Sequence, residues 1–310
     1  MAFCSRFIPL SYQSAPMKKI KEIFTRVKEL QHTDHEDITD HLWQLICYSP
    51  KFPLRLQQQQ LLDEARPFTL EVDDPHFSRS VLKFNGFVWG NGSRKVLLTH
   101  GWSSKGADFI DLITALRTIG NLQIIAFDAP GNGSSEGELS NLLLFAEAVK
   151  AVIQTYGAPD VMIGHSLGVV ANTIAVQQTG TKPSLLINIT PMVNLKENFI
   201  TTMNSADVPK AAQDKFFESF NKIFDVPTSY FNLADIYQEG VAVKHWLAYD
   251  KDDKMTPFVY MQELLNRHPV ITSKEYPGAT HERVIKDPRL IADVLELVKT
   301  SPNPLQRRGL

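Results

Sequence analysis

Apolar positions along this chain follow two regimes that meet near residue 79. Before it, Ile20, Ile23, Phe24, Val27 and Leu30 recur at three- and four-residue intervals, the stripe of an amphipathic helix. A second helix is predicted over about residues 37–48. Pro50 and Pro53 interrupt the chain after it, and a glutamine-rich third helix is predicted over 56–65. Asp73, Asp74 and Pro75 mark a loop. Residues 17–78 therefore read as helical.

After residue 79 the pattern changes. Segments 80–85 and 86–89 read as two short strands, and Gly90-Asn91-Gly92 supplies the tight turn after them. Apolar runs at 95–99, 123–127, 160–164, 184–189, 244–249 and 270–276 then alternate with helical stretches at about 105–119, 139–156, 167–179, 258–268 and 288–300. Most of these runs lack polar alternation, as expected of strands covered by helices on both faces. Strand–helix alternation of this kind predicts an α/β fold with a mostly parallel, eight-stranded sheet.

One connection breaks the rhythm. Between about Thr190 and Lys244 lies a segment too long for a simple crossover, with Phe216, Phe217, Phe220 and Phe224 at helical spacing. It predicts a helical lid inserted into the core. The expected organisation is thus an N-terminal helical extension over residues 1–79, a core over 80–191 and 244–310, and a helical cap over 192–243.

Length agrees, since 310 residues exceed the ~250–300 at which one hydrophobic core stops growing. A net charge of −2 with dispersed Lys and Arg excludes a large basic face for nucleic acid. The one basic cluster, Lys18, Lys19 and Lys21, fits a solvated helix face as well as a membrane contact. No apolar run approaches the ~18 residues that span a bilayer. The opening ten residues lack the basic and apolar regions of a signal peptide, and Met17 is a second candidate start, with residues 1–16 as a disordered leader. Cys4 and Cys47 allow at most one bridge, so reduced thiols in a cytoplasmic protein are the simpler reading.

Candidate chemistry centres on Gly164-His165-Ser166-Leu167-Gly168, which follows an apolar strand and opens a helix. A serine at such a sharp turn stands clear of the sheet beside a helix N-terminus, and flanking glycines let neighbouring chain approach. Its hydroxyl barely ionises at neutral pH, so it needs a base, and the base an orienting acid. Of nine histidines, His281 is best placed, just beyond the last strand and at the same sheet edge as Ser166. The acid is expected after the preceding strand, where Asp250, Asp252 and Asp253 all stand.

Over about residues 80–300 these segments, in this order, resemble the α/β-hydrolase superfamily, in its serine esterase, lipase and peptidase-like branch. That resemblance implies Asp253 as the acid, four positions before Pro257, with Asp250 as runner-up. It implies that Leu97-Leu98-Thr99-His100-Gly101-Trp102 is the strand ending in His-Gly, so that the backbone N–H groups of Trp102 and Leu167 form an oxyanion hole. His100, Gly101, Gly164, His165 and Gly168 are then framework, and Asp128, in Asp128-Ala129-Pro130-Gly131-Asn132-Gly133-Ser134, is a structural loop residue. Val169 departs from the pattern, standing where many members have a small residue.

Other signals are weaker. His32-Thr33-Asp34-His35-Glu36-Asp37 matches no standard zinc spacing, and Thr33 or Asp34 suits a helix N-cap. Gly131–Gly137 lacks the lysine of a phosphate loop. His245 and His268 read as packing or surface residues. The lid phenylalanines, with Phe199, Met203, Tyr230 and Phe231, either line an apolar acyl pocket or simply pack on the core.

The expectation is a serine hydrolase acting on a small-molecule acyl substrate, foremost a carboxylic ester with an apolar acyl group, without a metal or organic cofactor. A peptidase, thioesterase or C–C hydrolase fits the same residues, as does a ligand-binding member of the fold without catalysis. A dehalogenase fits poorly, since that branch has Asp where this chain has Ser166.

Overall fold

Strands Arg66–Asp74 (β1), Ser80–Trp89 (β2), Arg94–Thr99 (β3), Leu122–Phe127 (β4), Val161–His165 (β5), Leu185–Ile189 (β6), Lys244–Tyr249 (β7) and Ile271–Glu275 (β8) form one sheet, ordered β1-β2-β4-β3-β5-β6-β7-β8. This computed structural model describes residues 10–30 and 38–301. β2 runs antiparallel to both β1 and β4, and every other pairing is parallel. The inner parallel strands β3 to β6 are short and buried almost throughout, as their apolar runs require, whereas the edge strand β8 is mostly exposed.

Two expectations need correction here. Residues 66–74 are a strand, not helix, so the sheet begins inside the segment expected to be a helical extension. Phe68, Leu70 and Val72 alternate with Thr69, Glu71 and Asp73, a period of two, with the odd set turned outward. Asp74 closes the hairpin by accepting the backbone N–H groups of His76, Phe77 and Ser78 at 3.3, 3.1 and 2.8 Å. Residues 80–89 form one continuous strand, not two.

Helices Leu10–Leu30 (α1), Ile38–Cys47 (α2) and Leu56–Asp63 (α3) precede the sheet. Ile110–Leu116 (α4), Leu142–Tyr156 (α5) and Leu167–Thr179 (α6) lie between core strands. The cap holds Leu195–Ser205 (α7), Lys210–Phe224 (α8) and Leu233–Ile236 (α9). Phe258–Arg267 (α10) and Pro288–Thr300 (α11) complete the core. Asn141 and Asp287 cap α5 and α11 by accepting the N–H groups of Leu144 and Arg289. Apolar side chains of α5 and α6 cover one sheet face, and those of α4 and α11 the other. α3 is tied to the second face, where Trp89 Nε1 donates to the Leu61 carbonyl at 3.0 Å.

α1 passes through Met17, so residues 10–16 are helical and not part of a disordered leader. Its buried side chains Ile23, Val27 and Leu30 are three of the five stripe positions. Lys18 pairs with Glu22, and Lys19 with Glu138. α1 and α2 lie against the cap. Trp43 packs its ring 4.6 Å from that of Phe216 and 5.9 Å from that of Phe220, and donates to Ser219 Oγ at 3.0 Å. Lys28 reaches Asp207 at 2.8 Å. Among the described residues, no helix is long and apolar enough to cross a membrane. Cys47 is a buried free thiol. Cys4 and the cluster from His32 to Asp37 lie outside the described residues.

Candidate active site

Parallel strands deliver their carboxyl ends to one edge, and the candidate residues stand at or just beyond those ends. Thr99 pairs with Gly164, His165 with Ile189, and Tyr249 with Glu275. The chain after each of these strands therefore converges on the same rim.

Ser166 sits between β5 and α6 at φ 52° and ψ −118°, a left-handed backbone that serine rarely adopts. Its N–H donates to the Ile189 carbonyl at 3.0 Å, and its carbonyl accepts from the Val169 and Met192 N–H groups at 3.1 and 3.3 Å. The flanking glycines are demanded by space. A Cβ on Gly168 would stand 2.3 Å from the Thr99 carbonyl oxygen, and one on Gly164 2.8 Å from Val169 Cα. Val169 itself is accommodated, fully buried. Leu167 opens α6, so its N–H has no intrahelical acceptor.

His281 Nε2 lies 2.9 Å from Ser166 Oγ, and His281 Nδ1 lies 2.7 Å from Asp253 Oδ2. The Asp253 carboxylate also accepts from the Met255 and Thr256 N–H groups at 2.8 and 3.2 Å and from Thr256 Oγ1 at 2.7 Å. Burial pushes its pKa up, but the bonds from His281 and Thr256 outweigh this and hold it below the usual carboxylate value. Asp250 does not reach the imidazole. Its Oδ2 accepts the Thr280 N–H at 2.9 Å, pinning a residue at φ 58° immediately before His281. Thr256 is not anticipated from the sequence, although a threonine three residues after an aspartate is a turn signal.

The loop after β3 lies against this turn: a Cβ on Gly101 would stand 3.0 Å from Ser166 Cβ. His100 holds that loop. Its Nε2 accepts the Ala129 N–H at 2.9 Å, so Nδ1 carries the proton and donates to the Gly101 carbonyl at 2.7 Å. Burial lowers its pKa and keeps it neutral. His165 Nε2 donates to the His281 carbonyl at 2.9 Å, and burial with the neighbouring His281 pushes its pKa down to about 3. Asp128 accepts from Gly106 N and from Ser134 N and Oγ, each at 2.8 Å, and thus holds loop structure away from His281.

A cavity of about 540 Å3 opens above Ser166. One wall is apolar, with Trp43 and Ile46 of α2 beside Phe199, Phe220, Phe224 and Phe231 of the cap. The cap aromatics divide. Met203 and Phe216 are wholly buried in packing, Phe217 lies half-buried against Phe216, and Tyr230 is exposed. Trp102 lines the cavity beside Ser166, and its ring stacks 6.3 Å from that of Phe145. His245 and His268 take no part in this rim: they bond the Glu239 and Ala234 carbonyls. Among the described residues, no group of three or more His, Cys, Asp or Glu is arranged to hold a metal.

A family model described as the alpha/beta hydrolase family matches residues 96–294, most of the chain, including Ser166, Asp253 and His281. The chain belongs to the alpha/beta hydrolase family. Solved structures agree on the fold of this hydrolase family member. The esterase Pf2001 from Pyrococcus furiosus is similar with a TM-score of 0.58 at 16% identity, over 83% of this chain and 99% of that one. A thermophilic esterase from Thermogutta terrifontis gives 0.54 at 14%, over 76% and 100%. Alpha/beta hydrolase domain-containing protein 10 from mouse gives 0.54 at 16%, over 75% and 97%. No curated protein sequence matches the chain.

Proposed function

We propose that this alpha/beta hydrolase is a serine hydrolase that cleaves a carboxylic ester with an apolar acyl group through an acyl-enzyme. The observation that carries the reading is the continuous path from Asp253 through His281 to Ser166, at 2.7 and 2.9 Å. Asp253 accepts a hydrogen bond from His281 Nδ1–H, which keeps the proton on Nδ1 and leaves the Nε2 lone pair facing the Ser166 hydroxyl. Ser166 Oγ attacks the carbonyl carbon as its proton moves to Nε2. The bond to the leaving oxygen then breaks, and that oxygen takes the proton from His281. Water repeats the sequence on the acyl-enzyme, releasing the acid and restoring the Ser166 hydroxyl.

The Trp102 and Leu167 N–H groups are assigned to the developing oxyanion, where one such donor is typically worth about 3 kcal/mol. The apolar wall supports an acyl chain as the group lodged there, and the esterases of the same fold are compatible with that choice. A cytoplasmic setting is supported by the two-cysteine composition.

A fluorophosphonate probe tests the core of the reading. Wild type is expected to be labelled on Ser166 and Ser166→Ala not at all. Wild type should then hydrolyse p-nitrophenyl esters with a preference among chain lengths. A folded wild type that resists labelling would leave a ligand-binding role without catalysis.

A further inference from the structure

Part of the cavity lining outside the cap has a different chemistry. Lys105 is 8% exposed, yet its side chain lines the cavity that opens above Ser166. Its stem is buried, but Nζ is not among the partnerless polar atoms sealed from solvent, so the ammonium opens on the cavity. Asp108 is its counter-ion, but Oδ1 lies 3.6 Å from Nζ, beyond hydrogen-bond reach. Both Asp108 oxygens are committed elsewhere: Oδ1 accepts from Gln58 Nε2 at 2.7 Å, and Oδ2 from Ser104 Oγ at 2.8 Å and the Lys105 N–H at 3.1 Å. Burial pushes the Asp108 pKa up, but Lys105, Ser104 and Gln58 together bring it below its usual value, so the carboxylate is charged and occupied. Among the described residues Nζ makes no hydrogen bond, so the lysine meets the cavity with its donors unused.

Its surroundings are consistent with that. Arg55, exposed, and Lys286, half-buried, line the same cavity, and neither makes an ion pair among the described residues. Against these three cations the cavity walls carry two carboxylates, Asp108 and the exposed Glu282. One positive charge is left over, which suits one anionic group. The same cavity is lined by the apolar side chains of α2 and the cap aromatics.

We infer that Lys105, flanked by Arg55 and Lys286, binds a carboxylate on the leaving-group side of the substrate, so that this enzyme acts on esters joining an apolar acyl chain to an acid-bearing alcohol or phenol. This rests on the serine-hydrolase reading above. It narrows the substrate to amphipathic, singly charged esters, and makes Lys105 a specificity-determining residue.

The test compares two butyrate esters of similar shape, one of 4-hydroxybenzoate and one of neutral 4-hydroxybenzamide. The readout is the ratio of their kcat/KM values, which cancels any general loss in a variant. Wild type is expected to favour the carboxylate ester roughly ten- to hundredfold, the span of a charge-assisted hydrogen bond. Lys105→Met should bring the ratio near one, mainly through KM, and Lys105→Arg should restore most of it. Because Lys105→Met leaves the half-buried Asp108 without its counter-ion, Arg55→Gln and Lys286→Gln serve as a second route. Each should lower the ratio by about twofold, with a shallower dependence on ionic strength. Protection of Ser166 from fluorophosphonate by benzoate over benzamide gives the same comparison without turnover.

A wild-type ratio near one, or an equal loss on both esters in Lys105→Met, overturns the inference. So does a stronger preference for p-nitrophenyl hemisuccinate, whose carboxylate sits on the acyl side. Failure of wild type to react with fluorophosphonate sinks the serine-hydrolase reading instead, which keeps the two failures apart.

Discussion

The two sides of the cavity are built on different physics. On the sheet side, Ser166, His281, Asp253 and His100 each stand within a few residues of a strand end and are held by directional bonds, several to backbone. Two of the loops there are strained, at Ser166 and Thr280. On the cap side, Trp43, Phe199, Phe216 and Phe220 are held by ring contacts and one side-chain hydrogen bond, Trp43 to Ser219. Directional bonds set atoms to tenths of an ångström; ring packing sets a volume. The difference separates where chemistry must be fixed from where substrate shape can drift without harming it.

The largest expected break in that contrast is within the aspartates. Asp253→Asn should lower kcat by about 10^4, because the amide no longer selects the Nδ1 tautomer, as in the triad whose aspartate has been changed this way. Asp250→Asn should fall far less, since it loosens Thr280 without touching the imidazole. Initial rates on p-nitrophenyl butyrate separate them, and equal losses would mean the two carboxylates share one role.

Next comes Gly168→Ala, whose new Cβ would meet two backbone carbonyls at 2.3 and 2.5 Å. It should cost about 3 kcal/mol or more of stability, read from urea midpoints, because neither carbonyl is free to move. Trp43→Ala should cost about 3 kcal/mol, but in the cap. Its kcat/KM should drop more for octanoate than for acetate esters, and a uniform drop would show that the cap also aligns the catalytic side.

The smallest effect belongs to His165, whose pKa is pushed down to about 3 by burial and by His281. The unfolded chain binds a proton there below about pH 6.5, and the folded one does not. Stability from this group is therefore complete above that pH and falls as the pH drops toward 3, by about 1.4 kcal/mol per unit. His165→Gln should shrink the fall in urea midpoint between pH 7.5 and 5. His100, neutral by burial as well, keeps part of it.

Legibility in the sequence divides along the same line. The places of Ser166 and His281 are readable because each carries a local pattern: a glycine-flanked serine at a strand-to-helix turn, and a histidine after the last strand. The inner core strands β3 to β6 are readable from apolar runs. β1 is not, because only Val72 and Asp74 of its nine residues are buried and three helical segments precede it. Nor is the wall formed by Trp43, Ile46 and Cys47, since nothing near them in the chain names their partners. Helical spacing puts Phe216, Phe217, Phe220 and Phe224 on related turns, but which of them meets the cavity depends on α2. Lys105, in Ser103-Ser104-Lys105-Gly106, looks like an ordinary surface loop until its burial is known.

The bond from Trp43 to Ser219 spans 176 positions. Ribosomes release the amino end first, so α2 must leave the exit tunnel with its indole uncovered and wait while the Ser166 turn and six of the eight strands are made. The first helices of this protein are thus among the last to find their place, and the newborn chain carries an adhesive apolar face for most of its translation.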